Sequence, residues 1–231
     1  MTPDTLAEVM EATWPPAGTR GHGPFTLRDG AGGGKRVSAA SVAGEWGEAD
    51  IAALEDLMAE PLMLVRAGED RLDAALTARG WRLADPVIAY AAPVAALSAA
   101  LPPLAAFPHW PPLQIAREIW GEGGIGPARI AVMDRVVGEK VAVLSRLGDR
   151  PAGVAFVARH GAEAMLHALE VRSALRRQGV GETLLRAAAN WAAETGAARL
   201  SLVVTAQNTA ARALYARLGM QAVGQYHYRT K

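Results

Sequence analysis

One stretch gathers the residue types suited to holding an anion: Leu169-Glu-Val-Arg-Ser-Ala-Leu-Arg176-Arg177-Gln178-Gly179-Val180-Gly181-Glu182-Thr-Leu-Leu-Arg186. Gly179 and Gly181 carry no Cβ, so the backbone can turn tightly there and come close to a ligand. Leu166, Leu169 and Val171 read as the end of a strand, and Thr183 to Trp191 as a helix. The helix start points unpaired N–H groups and the positive end of its dipole into the turn. Such a turn favours an anion, phosphate above all. The guanidinium groups of Arg176 and Arg177 match phosphate oxygens in bidentate fashion. Proton chemistry is available nearby. His167 lies on the preceding strand, and an unperturbed imidazole can take a proton near neutral pH. Tyr215 offers a phenol donor on a later helix.

A second glycine run, Asp29-Gly-Ala-Gly-Gly-Gly34, ends in Gly34-Lys35. It fails as a phosphate-binding P-loop. Asp29 stands at the first glycine position, and Arg36 stands where Ser or Thr would reach Mg²⁺. A hairpin turn is the better account, joining a strand at Phe25–Arg28 to a second at Lys35–Val42.

The elements that would position these groups follow from periodicity and punctuation. In the first half, helices are expected at Asp4–Thr13, Glu48–Met58 and Asp70–Ala78, with strands at Pro61–Val65 and Trp81–Tyr90. Ala91–Pro112 is rich in Ala and Pro and holds no Asp, Glu, Lys or Arg, the composition of an extended linker. Its Phe107, His109 and Trp110 are candidates for a pocket wall. The second half reads as helices at Leu113–Trp120 and Pro127–Val136, then strands at Glu139–Leu147, Gly153–His160 and Met165–Val171. Short turns make these three strands antiparallel. Regular alternation along the third places Glu163, Met165, His167, Leu169 and Val171 on one face and Glu170 on the other. A strand at Arg199–Val204 and a helix over Asn208–Leu218 follow. An internal repeat ties the halves together: Ala75-Leu76-Thr-Ala-Arg-Gly80-Trp81 aligns with Leu214-Tyr215-Ala-Arg-Leu-Gly219-Met220.

Arg176-x-x-Gly179-x-Gly181, set between strand and helix, resembles the acetyl-coenzyme A pyrophosphate loop of the GNAT N-acetyltransferases. Asn208-Thr-Ala-Ala211-Arg-Ala-Leu214-Tyr215-Ala-Arg-Leu-Gly219-Met220 is similar to that family's Asn-x-x-Ala-x-x-Leu-Tyr-x-x-x-Gly-Phe segment. The resemblance covers roughly Leu113 to the C-terminus. It implies the α/β GNAT acyl-CoA N-acyltransferase fold, a mixed, mostly antiparallel sheet with helices on both faces. The repeat adds a degenerate GNAT-like unit over residues 1–92, a linker over 93–112 and a catalytic domain over 113–231. The implied cosubstrate is acetyl-CoA, with no metal. Residues 176–182 (Arg176, Arg177, Gln178, Gly179, Val180, Gly181, Glu182) would bind the diphosphate. The backbone of Leu169 and Val171 would pair with the acyl arm, and Asn208 would bind further along it. Tyr215 matches the family's acid for the leaving thiolate, and His167 is the candidate base, with Glu163 or Glu170 and a base-free water relay left open. The acceptor is a small-molecule or peptide amine. A non-catalytic acyl-CoA-binding module is the alternative. The family's usual final strand is missing after Tyr228, its place left out or filled by the N-terminal half or another subunit.

Composition bounds the rest. The chain has 231 residues, 51% hydrophobic, with 24 basic and 23 acidic side chains for a net charge of +1. That balance argues against nucleic acid or an anionic membrane as bulk partner. No Cys is present, which removes disulfides, thiolate–metal sites and a Cys-acyl intermediate. The start of the chain is acidic and not an apolar run, so a cytoplasmic protein is expected, with a homodimer left open.

Overall fold

The computed structural model describes residues 1–231. Thr2 caps α1 (Pro3–Thr13) by accepting from Thr5 N at 3.1 Å, and Pro3 sits in the first turn, where its missing N–H costs nothing. Leu6, Val9, Met10 and Thr13 form the buried face of this helix. The hairpin that follows differs from the expected one. It joins β1 (Gly18–His22) to β2 (Phe25–Asp29) through Gly23, and only β3 (Ser41–Val42) pairs on the other side of β2. The glycine run therefore connects β2 to β3 as a packed loop. Asp29 accepts from Ala31 N, and a Cβ on Gly33 would lie 2.5 Å from Val132, so this loop is pressed onto the second half of the chain. Lys35–Val37 makes a single 3-10 turn where a strand was expected.

Helix α2 (Glu48–Leu57), strand β4 (Leu62–Arg66), helix α3 (Asp70–Ala78) and strand β5 (Arg82–Pro93) complete the first half. The Ala/Pro-rich stretch is more structured than a linker. It holds the helical turn α4 (Val94–Leu97) and the strand β6 (Ala106–His109), and Asn190 pins Ala99 through both its amide O and N. Then come α5 (Gln114–Glu122), α6 (Pro127–Arg135), β7 (Lys140–Leu147), β8 (Arg150–His160), β9 (Glu163–Val171), α7 (Val180–Glu194), β10 (Arg199–Thr205), α8 (Thr209–Arg217) and β11 (Gln221–Thr230). No helix is long and apolar enough to cross a membrane.

Eight strands form one sheet in the order β4-β11-β5-β10-β9-β8-β7-β6, with β9–β10 its single parallel pair. Helices α1, α5 and α6 cover one face and α7 the other. The mixed, mostly antiparallel sheet expected from the resemblance is therefore present. Strand β5, from the first half of the chain, inserts between β10 and β11.

The internal repeat explains this insertion. Gly80 and Gly219 end α3 and α8 with φ of +81° and +80°. The next residue in each donates back to the same place, Trp81 N to Leu76 O and Met220 N to Tyr215 O, both at 3.0 Å. The same offset carries β4 onto β10 and β5 onto β11. It also carries the pairing of β5 with β10 (Val87 opposite Thr205, Ala91 opposite Ser201) onto that of β11 with β4 (Tyr226 opposite Arg66, Thr230 opposite Leu62). Each half thus lends its final strand to the other, and β5 and β11 lie antiparallel about a pseudo-twofold axis. Removing the first half would strip β5 from the middle of the sheet as well as β4 from its edge.

Candidate active site

The parallel pair opens partway along. Strand β10 meets β9 only where Arg199–Leu202 faces Glu163–Leu166. Beyond that, β9 runs on to Val171 and β10 to Thr205 without pairing. A bulge accompanies the opening. Ala168 has φ +51°, and the register with β8 jumps from Phe156–His167 to Val154–Glu170. The extra residue breaks the expected alternation. Phe156 and Val154 belong to one cluster on the α5–α6 side, so His167 and Glu170 share a face, while Leu169 and Val171 pack toward α7. Trp120 Nε1 donates to Ala168 O at 2.8 Å and holds the bulge from α5. Arg172 N bonds Ala152 O on β8, so the N–H and C=O of Val171 between them turn away from β8, into the gap.

The glycine loop lies at the mouth of that gap. Arg177 and Gly179 both have left-handed backbone, φ +65° and +85°, and Gly179 begins α7 with no side chain capping it. The N–H groups of Val180, Gly181 and Glu182 therefore face outward from the first turn, an anion-binding concavity. A Cβ on Gly181 would lie 3.1 Å from Leu214 of α8, so glycine keeps the two helices close. The side chains divide. Arg177 is exposed and in no ion pair. Arg176 is held by Glu170 at 2.9 Å and Val171 O at 3.0 Å, so its guanidinium braces the loop. Gln178 donates to Ala174 O, and Glu182 accepts from Arg186 and Arg217. Arg172 is likewise committed, to Glu122 at 2.9 Å. Asn208 caps α8, its Oδ1 accepting from Ala211 N at 3.1 Å.

Tyr215 is buried on α8, its ring 5.6 Å from that of Tyr90 on β5. Burial, with Tyr90 second, pushes its phenol up to about 12, so it is a proton donor throughout the neutral range. Tyr90 opposes Leu202, the last residue of β10 that still pairs with β9, and its hydroxyl accepts from Arg212 at 3.4 Å. Tyr90 belongs to the first half of the chain. No motif marks it, although the repeat that predicts β5 beside β10 would have found it.

His167 is fully enclosed. Trp14 stacks on it at 5.0 Å, its Nε2 lies 2.9 Å from Thr13 Oγ1, and its Nδ1 lies 2.9 Å from Arg36 Nη1. Thr13 Oγ1 already donates to Val9 O at 2.6 Å, so it accepts from His167, and Arg36 can only donate. These partners assign the neutral Nε2–H tautomer, with the Nδ1 lone pair occupied. Burial and then the Arg36 charge hold the imidazole well below its ordinary value. The expectation of a free general base at this position gives way to a neutral strut that joins β9 to α1 and the glycine loop.

Beside the bulge an open cleft of about 430 Å³ is lined by Trp14, Gly34, Lys35, Arg36, Asp85, Arg129, Ala168 and Thr205, among others. Glu163 lies away from it, paired with Arg199 at 2.8 Å, and His227 pairs with Asp73. Of the aromatic candidates before α5, Trp110 packs on Phe156 and beneath Lys140, and Phe107 beneath Arg146. His109 accompanies them on β6, at the sheet edge remote from the cleft. Trp110 and Phe107 are thus packing residues.

Residues 126–220 match the sequence model of the Acetyltransferase (GNAT) family. A 56-residue segment is 38% identical to the uncharacterized N-acetyltransferase YobR of Bacillus subtilis, covering 24% of this chain and 23% of that protein, about a quarter of the curated relative. Three solved structures resemble nearly the whole chain. A GCN5-related N-acetyltransferase from Kribbella flavida has a TM-score of 0.73 at 15% identity, over 99% of this chain and 95% of that one. A functionally unknown conserved protein from Staphylococcus epidermidis has 0.70 at 9%, over 98% of each. A tandem GNAT protein from the clavulanic acid biosynthesis pathway has 0.64 at 17%, over 98% and 87%. At these identities the three structures speak to the fold, which they share across both halves.

Proposed function

We propose that this chain, which carries a GNAT-family domain over residues 126–220, is an N-acetyltransferase that moves an acetyl group from acetyl-CoA to a primary amine. The observation that carries this reading is the uncapped amino end of α7, behind left-handed Gly179, opening onto the gap between β9 and β10. The diphosphate sits on the N–H groups of Val180, Gly181 and Glu182 with Arg177 beside it. The acyl arm enters the gap and pairs with the backbone of Leu169 and Val171 as an added strand, with the Asn208 amide alongside. Its thioester then lies at the Ala168 bulge, where the cleft opens from the other side.

An amine in the cleft attacks the thioester carbonyl. The C–N bond forms, the C–S bond breaks, the thiolate takes the Tyr215 proton, and the proton that the nitrogen sheds on becoming an amide returns through solvent in the cleft to the phenolate. A phenol near 12 is a weak acid toward a thiol of ordinary pKa about 8.5. The same dry surroundings raise the thiol as well, which narrows the mismatch. An alkyl ammonium of pKa about 10 is only about one part in a thousand neutral at pH 7. With His167 committed, the positive cleft supplies the correction: Lys35, Arg36 and Arg129 outnumber Asp85 and disfavour the ammonium form.

Thiol release from acetyl-CoA across amines, amino acids, polyamines, aminoglycosides and peptides tests this reading, with calorimetry of CoA beside it. No heat with CoA refutes it. The engaged His167 favours a second reading, a CoA-binding module without turnover. CoA binding with no thiol release across the panel would select that one.

A further inference from the structure

Within the acceptor cleft, two guanidinium groups have no carboxylate partner. Arg36 donates from Nη1 to His167, and its Nε is buried without any hydrogen-bond partner. A buried donor in that state is costly unless something arrives to accept from it. Arg129 of α6 forms no ion pair. It lies against the loop at Gly34, where a Cβ would stand 3.5 Å from its guanidinium; glycine with φ +96° leaves that approach open. The other charges are spoken for, since Lys35 binds Asp85 at 2.5 Å. With His167 neutral, the cleft carries an excess of two positive charges from Lys35, Arg36 and Arg129 against Asp85. The bulge at Ala168, where the acyl carbon is placed by the proposed function, lines the same cleft.

We infer that the acceptor is an amine that itself bears an oxyanion, a carboxylate or phosphate, which Arg36 and Arg129 hold while the amine nitrogen faces the Ala168 bulge. This rests on the acetyltransferase reading and adds the substrate class to it. A guanidinium binds an oxyanion through paired N–H donors, so the contact fixes the orientation of the amine, and a carboxylate offsets only one of the two excess charges, leaving the cleft positive. A polycation such as a polyamine would meet two unpaired positive charges instead. A cleft of about 430 Å³ accommodates a single amino acid or small phosphoamine.

The test is thiol release from acetyl-CoA with matched acceptors: glycine, leucine and glutamate against their amides, phosphoethanolamine against ethanolamine, and spermidine. The amides hold more neutral amine at a given pH, so preference for the acids runs against intrinsic reactivity. The anionic member of at least one pair is expected to lead its neutral partner in kcat/KM by roughly ten- to hundredfold, and which pair does so separates carboxylate from phosphate. Arg129→Gln is expected to shrink that ratio about tenfold, mainly through KM. Arg36→Lys does the same, with circular dichroism checking that loss of the His167 contact has not unfolded the chain. Thiol release with neutral amines or spermidine equal to or better than with the acids overturns the inference and leaves the acetyltransferase reading standing. CoA binding without thiol release from any acceptor overturns both.

Discussion

Replacing His167 with Gln separates a base from a strut. Gln keeps one acceptor for Arg36 and one donor for Thr13, so the packing contacts of the imidazole are largely preserved. The replacement removes a group that the fold holds neutral. An unfolded histidine titrates near 6.5, whereas the native one is held well below that by burial and by Arg36. The unfolded chain therefore binds a proton that the folded chain refuses. Stability from this group is complete above pH 6.5 and is lost as pH falls below it, by about 1.4 kcal/mol per unit while the native imidazole stays neutral. Between pH 7 and 5.5 the loss is on the order of 1 kcal/mol. Urea unfolding at the two pH values measures it, and the other histidines cancel because both proteins carry them. The wild type is expected to lose more stability than His167→Gln across this interval, by on the order of 1 kcal/mol. Parallel losses would refute the neutral-strut argument. So would a kcat reduced a hundredfold or more in the variant at unchanged stability, which is the signature of a lost general base.

Three further outcomes follow from named contacts. Tyr215→Phe is expected to lower kcat by about a hundredfold with little change in CoA affinity, and the wild-type rate should show no alkaline fall from this phenol until pH approaches 12; unchanged turnover would remove the acid role. Glu55 binds Arg79, Trp81 and Lys231, and the Arg79 contact leads in lowering it from 4.5 to about 2. Its stabilisation, about 3 kcal/mol, is present above pH 4.5 and disappears as pH falls toward 2. Urea midpoints of Glu55→Gln and wild type should therefore differ at pH 7 and converge in acid. A fragment beginning at Val94 lacks β5, which leaves β10 and β11 as unpaired edges. It is expected to aggregate alone and to become soluble when residues 1–93 are co-expressed, as size-exclusion chromatography would show; a monomeric, folded fragment would contradict the strand exchange.

The features legible in the residues alone are local ones. The Arg176–Gly181 turn and the two helix–glycine corners depend on backbone freedom at Gly179, Gly80 and Gly219, which a few neighbouring residues specify. The helices α1, α3 and α7 and the strands β7 to β9 likewise follow from apolar periodicity, and they appear within a residue or two of their expected ends, except that β8 starts three residues early and α7 extends three residues further at each end. Features that depend on distant partners emerge only once the chain is folded. A single left-handed residue, Ala168, reverses the side on which Glu170 falls, and nothing in the alternation of β9 announces it. The fate of His167 was set by Thr13, Trp14 and Arg36, more than a hundred residues away. The role of β5 required pairing with β10 and β11, a choice made by burial and open ladder hydrogen bonds across the whole sheet. Backbone preference acts over a few residues and can be read from them, whereas charge, burial and strand pairing belong to whatever the fold brings alongside.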